Sequence, residues 1–122
     1  MTGVQTCALP ISRREPLLRW LAQGAPDLAM AAGDGYCFGR HGHRFDHIGP
    51  IIAGNAESAW RLLAAAVAQC SRETVIDAPI EHEEVLASFG FRKQRPFLRM
   101  SLGEPPVFDA SLNYAITGPE FA

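Results

Sequence analysis

Apolar side chains recur along this chain with two different periods, and each change of period marks an element. From Arg13 the spacing is helical, with Leu17, Leu18 and Leu21 on one face. Pro16 suits a first turn and Gly24 a C-terminal cap, which predicts a helix over Glu15 to Gln23, closed off by Pro26. Asp27 to Ala32 then predicts a strand, Gly33-Asp34-Gly35 a turn, and Tyr36 to Arg40 the next strand. His41-Gly42-His43-Arg44 reverses the chain into a third strand, Phe45 to Ala53, whose Ile48, Ile51 and Ile52 are its apolar contribution. Gly49-Pro50 lies inside that strand. Proline has no N–H for the ladder, so the strand is expected to bulge or lose a pairing partner there.

The clearest helical pattern covers Ala56 to Cys70. Asn55 is its N-cap and Glu57 complements the helix dipole. Ala56, Trp60, Leu63, Val67 and Cys70 predict its buried stripe. Glu73 to Asp77 reads as a short strand ended by Ala78-Pro79, and Glu81 to Phe89 as a helix stopped by Gly90. Phe91 to Leu102 and Ser111 to Thr117 read as two last strands, joined by Gly103 to Asp109. Three successive strands followed by strand–helix crossovers predict an α/β fold, a mixed sheet with helices on its faces.

Composition narrows this picture without redirecting it. The 122 residues suffice for one core and are too few for two domains. A formal net charge of −2 gives no bulk attraction to nucleic acid or anionic membranes, so neither partner is expected. The longest apolar run, Leu62 to Ala68, is far short of the ~20 residues that span a bilayer. The three cysteines are odd in number and form no Cys-x-x-Cys pair, which points to a reducing, cytoplasmic setting. Met1 to Ser12 (MTGVQTCALPIS) shows neither period; it resembles a translated sequencing adapter. The expected division is therefore a foreign or disordered stretch at 1–12 and a domain at 13–122 that lacks its beginning.

Candidate chemistry gathers where strand 45–53 feeds the long helix. Free backbone N–H groups at such a junction, with the helix dipole, make a potential anion site. Elsewhere, Cys37, His41, His43 and His47 are possible metal ligands, though a solvated turn explains His41 and His43 as well. Asp77, Glu81, Glu83 and Glu84 cluster at a helix start, where they serve the dipole or act as bases. Arg92, Lys93, Arg95 and Arg99 form a basic strand, either a solvated face or a hold for an acidic acceptor or phosphate groups.

His47-Ile48-Gly49-Pro50-Ile51-Ile52-Ala53, followed by Ala59 and Leu62-Leu63, resembles the central strand and helix of GNAT N-acetyltransferases. Gly35-Tyr36 with Gly39-Arg40, Val75-Ile76-Asp77 with Gly90-Phe91, Arg95 to Met100, and Tyr114-Ala115-Ile116 with Gly118 extend the likeness over about Arg13 to Gly118. The Ile-Gly-Pro step is most similar to the second, C-terminal domain of tandem-GNAT proteins. The resemblance implies a GNAT-like fold that opens between strands 45–53 and 73–77. Acetyl-CoA or another acyl-CoA would lie in that opening against Ile51, Ile52, Ala53, Gly54, Asn55 and Ala56, and a small-molecule amine would accept the acyl group. Asp77 and Glu81 are the candidate catalytic carboxylates. The chain departs from the family in two places. Ala53-Gly54-Asn55-Ala56-Glu57 is short and lacks a basic residue, and Leu86 stands where a general-acid tyrosine is common. At ~8 Å and an effective dielectric of ~20, Glu57 would repel a pyrophosphate by about 2 kcal/mol per pair of charges. Two functions follow from the resemblance: an acyl-CoA-dependent N-acyltransferase, or a non-catalytic domain supporting a catalytic GNAT domain upstream in the same protein.

Overall fold

The computed structural model describes residues 8–96, 102–103 and 110–117. Helix α1 (Ala8–Gly24) leads into strands β1 (Met30–Ala32), β2 (Gly35–His41) and β3 (Asp46–Ile52). Helix α2 (Ala56–Ala68), strand β4 (Thr74–Ile76), helix α3 (Glu83–Ser88) and strand β5 (Asn113–Ala115) follow. They build one mixed sheet in the order β1-β2-β3-β4, with β5 also paired to β3. The β1-β2-β3 meander is antiparallel. β4 runs parallel to β3, because α2 carries the chain back across the sheet before it re-enters.

α1 begins earlier than its apolar period, and Pro16 lies inside it rather than at its first turn. The predicted strand over 27–32 is split. Pro26–Leu28 forms a 3-10 turn, with Leu28 N–H donating to Ala25 O at 3.0 Å, and only Met30–Ala32 pairs as strand. Pro26 presets the turn backbone, and the fully buried Leu28 gains more from the core than an extended backbone would offer it. The helix expected from Glu81 also opens as a 3-10 turn, Ile80–His82, before α3. At the other end, residues 91–96 carry no regular structure, and the rest of the strand predicted over Phe91 to Leu102 lies largely outside the described residues.

α2 has the predicted cap: the Asn55 side chain accepts from Ser58 N–H at 2.8 Å. Its buried face is turned from the predicted stripe. Ala59, Leu62, Leu63 and Ala66 are the residues that meet the sheet, while Ala56 is exposed and Trp60, Val67 and Cys70 flank the core. The alanines explain this, since they bring the helix backbone close to Cys37, Ile48 and Ile51 beneath it. Burying these side chains is the main source of stability, at about 1.5–3 kcal/mol for each large one.

β3 is the axis of the fold, buried along Asp46 to Ile51. A strand covered on both faces ordinarily carries only apolar residues, so its two polar side chains, Asp46 and His47, need partners. Asp46 is held by His41 and Arg72, and His47 by Asp77.

Candidate functional site

β3 changes partner halfway along its length, and that change shapes the site. Asp46, His47 and Ile48 pair with Thr74, Val75 and Ile76 of β4. Beyond Ile48 comes the Gly49-Pro50 step, whose peptide bond is cis, and β3 and β4 separate. As the proline predicts, the ladder is broken here; β2 also shifts register opposite, between Cys37 and Gly39. The two parallel strands therefore form a fork.

The chain itself enters the fork. Ile51 and Ile52 pair with Ala115 and Asn113 of β5, and Ala53 N–H donates to Leu112 O at 3.0 Å. On the opposite arm, Asp77 bridges Ile116, whose N–H donates to Asp77 O at 2.8 Å. Gly49 completes the floor. A Cβ there would overlap the Ile116 carbonyl, so only glycine lets the end of β5 lie this close to β3. On their other edge Ile51 and Ile52 face Cys37 and Tyr36 of β2. The stretch Ile51–Ala53 thus meets neighbouring backbone on both sides.

Rings hold β5 in place. Tyr114, 8% exposed, stacks on His82 with centroids 4.8 Å apart, and Trp60 meets Tyr114 edge-on at 5.3 Å. Trp60 also touches His82 and Phe89, so α2, the 3-10 turn before α3, and β5 share one aromatic cluster. Burial raises the Tyr114 hydroxyl above its ordinary value, and Asp34 adds to the effect.

At the crotch of the fork, His47 Nε2 lies 2.8 Å from Asp77 Oδ2. With Asp77 as acceptor, Nε2 carries the proton, and a neutral ring presents its lone pair at Nδ1. His47 is 5% exposed and Nδ1 has no hydrogen-bond partner among the described residues. Such a carboxylate-oriented imidazole is chemically a base, but one enclosed by protein. Glu81, the other carboxylate singled out from sequence, is 65% exposed and lies 3.9 Å from His82 Nε2. From sequence, His47 stands out as a possible metal ligand and as part of the GNAT-like strand, not as a carboxylate-paired base. Its partner is 30 residues away in sequence, and no local spacing announces that pairing.

The helix end offers little to an anion. Ala53, Gly54 and Asn55 connect β3 to α2, and the Asn55 side chain already accepts from Ser58 N–H. The Asp34 carboxylate packs on Gly54 so closely that a Cβ there would overlap Oδ2. Glu57 follows in the first turn, paired to Arg61 at 2.7 Å on the exposed surface. Two carboxylates therefore lie at these N–H groups, and the basic residue beside them, Arg61, is spent on Glu57. The other candidate ligands part company as well. Cys37 is in the core, His41 turns to Asp27 and Asp46, and His47 turns to Asp77. No group of three His, Cys, Asp or Glu among the described residues converges as a metal site.

A mixed sheet whose parallel pair forks beside a strand-to-helix junction is consistent with the GNAT N-acyltransferase fold. The sequence agrees, matching the acetyltransferase (GNAT) domain family over residues 1–114. The chain belongs to that family. Neither a curated protein nor a solved structure matches it. No helix among the described residues is long and apolar enough to cross a membrane.

Proposed function

We propose that this GNAT domain is a non-catalytic, acetyltransferase-like domain that docks with and supports a catalytic GNAT domain upstream in the same protein, as in tandem-GNAT architectures. Acyl transfer to an amine is the family's chemistry, and in this reading the upstream partner performs it. One observation carries the proposal. The β3 edge that would take an acyl-CoA arm as an added strand is paired to β5, through Ile51–Ala115, Ile52–Asn113 and Ala53–Leu112. Acyl-CoA does not fit these residues. Its pantetheine amides would find the edge taken, and its pyrophosphate would meet Asp34 and Glu57 with no cation from the loop.

The second reading, an N-acyltransferase in its own right, draws support from the His47–Asp77 pair in the crotch of the fork. It requires β5 to leave so that cofactor can lie along Ile51 to Ala56 and an amine can reach the imidazole.

Calorimetry separates the two. Titrating acetyl-CoA into the whole chain is expected to give no saturable heat up to about 1 mM, which bounds binding at weaker than about −4 kcal/mol. One-to-one binding at micromolar concentration would overturn the proposal and restore Ile51, Ile52, Ala53, Gly54, Asn55 and Ala56 as a cofactor cradle.

A further inference from the structure

At the opposite end of the sheet from the α2 N-terminus, three separate parts of the chain meet on one histidine. His41 ends β2. Its Nδ1 lies 2.8 Å from Asp46 Oδ1 on β3, and its Nε2 lies 2.9 Å from both carboxylate oxygens of Asp27 in the 3-10 turn after α1. A carboxylate only accepts hydrogen bonds, and a neutral imidazole has only one N–H to give. Both contacts are satisfied together only when both ring nitrogens carry protons, so the geometry requires an imidazolium.

The surroundings support that charge. Asp46, 2% exposed, also receives Arg72 Nε at 3.0 Å from the loop between α2 and β4. Arg72 donates as well to the Gly42 and His43 carbonyls, closing the β2–β3 turn. Arg40 is the next basic group along β2, and its guanidinium reaches the Thr117 carbonyl. From α1 the neighbours are neutral, Trp20, Leu21 and Gly24, which line a shallow groove with Gly39, Arg40 and His41. The titratable and charged groups facing this cluster are therefore Asp27, Asp46, Arg72, Arg40 and, just past α2, the Cys70 thiol, which burial and the two nearby aspartates keep protonated. The charges alternate in sign from Asp27 through His41 and Asp46 to Arg72.

We infer that His41 is a proton-operated latch: as an imidazolium it ties Asp27, and with it the turn after α1, to Asp46 in the sheet, and on losing a proton it lets that turn go. The neutral ring keeps at most one of its two partners. Asp46 still has Arg72, whereas no other hydrogen bond or ion pair to the Asp27 side chain is seen among the described residues. The Asp27 contact is also the more exposed of the two, at 42% for its side chain against 3% for Asp46. Release therefore occurs on the Asp27 side.

The direction with pH follows. Hydrogen bonds donated to Asp46, then to Asp27, raise the His41 pKa above its ordinary value. A raised histidine contributes fully below its ordinary value, and the contribution fades as pH climbs through the folded-state value. Burial alone would push the Asp46 carboxyl up, but its bonds from His41 and Arg72 prevail and hold it below 3.8. That contribution is present above the ordinary carboxyl range and is lost as pH falls through the lowered value. The latch is closed between these limits and opens on the alkaline side.

NMR on the whole chain labelled with 15N-histidine tests this, together with amide exchange from pH 5 to 9. Both His41 ring nitrogens are expected to be protonated at pH 6.5, with a titration midpoint above the ordinary value. The midpoint should fall in Asp27→Asn. Exchange protection in residues 24–30, corrected for the base catalysis of exchange itself, should drop about tenfold or more as His41 deprotonates, the scale of one charge-assisted hydrogen bond. His41→Gln should show the unprotected level at every pH, while β3 and α2 amides stay protected in all variants. A neutral His41 ring at pH 6.5 would overturn the inference. So would unchanged protection across its titration, or loss of protection in β3 and α2 together with the turn.

Discussion

Replacing Tyr114 by alanine removes the ring that pins β5 in the fork, so it measures how firmly β3 and β4 are held apart. The ring is 8% exposed and contacts His82 and Trp60. Truncating a buried aromatic residue costs about 3–5 kcal/mol, and each aromatic pair contributes about 0.5–1.5 of that beyond area burial. His82 and Trp60 are themselves half-buried and can relax or admit water, which places Tyr114→Ala at the low end, about 3 kcal/mol. With an m-value of about 1.5 kcal/mol per molar urea, the denaturation midpoint falls by about 2 M. Tyr114→Phe keeps the ring and its packing, so it should stay within about 1 kcal/mol of the parent. Amide exchange supplies the location: in Tyr114→Ala, protection should be lost first at Ala53 and Ile116, whose N–H groups donate to Leu112 and Asp77. A midpoint within 0.3 M of the parent, or undiminished protection at both amides, would refute the claim that the aromatic cluster holds β5 in place.

Gly54→Ala puts a Cβ into the Asp34 carboxylate, the movable end of its side chain, and should destabilise by about 1 kcal/mol, the low end for overpacking. If that overlap is the cause, Asp34→Gly beside it recovers much of the loss, and a double-mutant cycle in urea reads the coupling. Burial, with a smaller contribution from Cys70, pushes the Cys37 thiol up to about 12. At pH 8 its reactive thiolate is about a thousandfold scarcer than that of a free cysteine, so iodoacetamide should modify Cys37 only after denaturant is added. Labelling of Cys37 in the native chain at the rate of an unfolded control, followed by mass spectrometry, would contradict its place in the core.

Local physics made much of this fold legible from residue order. Asn55 before an amphipathic run fixed the start of α2, because a cap and a helical period are properties of neighbours in sequence. Gly49-Pro50 marked where β3 changes partner, because proline cannot donate wherever the strand lies. The GNAT family was readable too, from motifs in order along the chain. Where local preference competed with burial, the reading slipped. Leu28 left the predicted strand for a 3-10 turn, and the α2 stripe turned toward its alanines.

What only the tertiary structure decided are the meetings of distant residues. His41 with Asp27, Arg72 with Asp46, and His47 with Asp77 are 14, 26 and 30 positions apart. Nothing in the local spacing of histidines and carboxylates says which will be neighbours, since sheet register alone brings them together. The same holds for β5. Its alternation identifies a strand, but whether that strand lines the fork or fills it depends on which edge of β3 is left unpaired once β4 diverges. Pairing of buried backbone groups is settled among all strands at once, and that collective choice put Ile51 and Ile52 against Ala115 and Asn113.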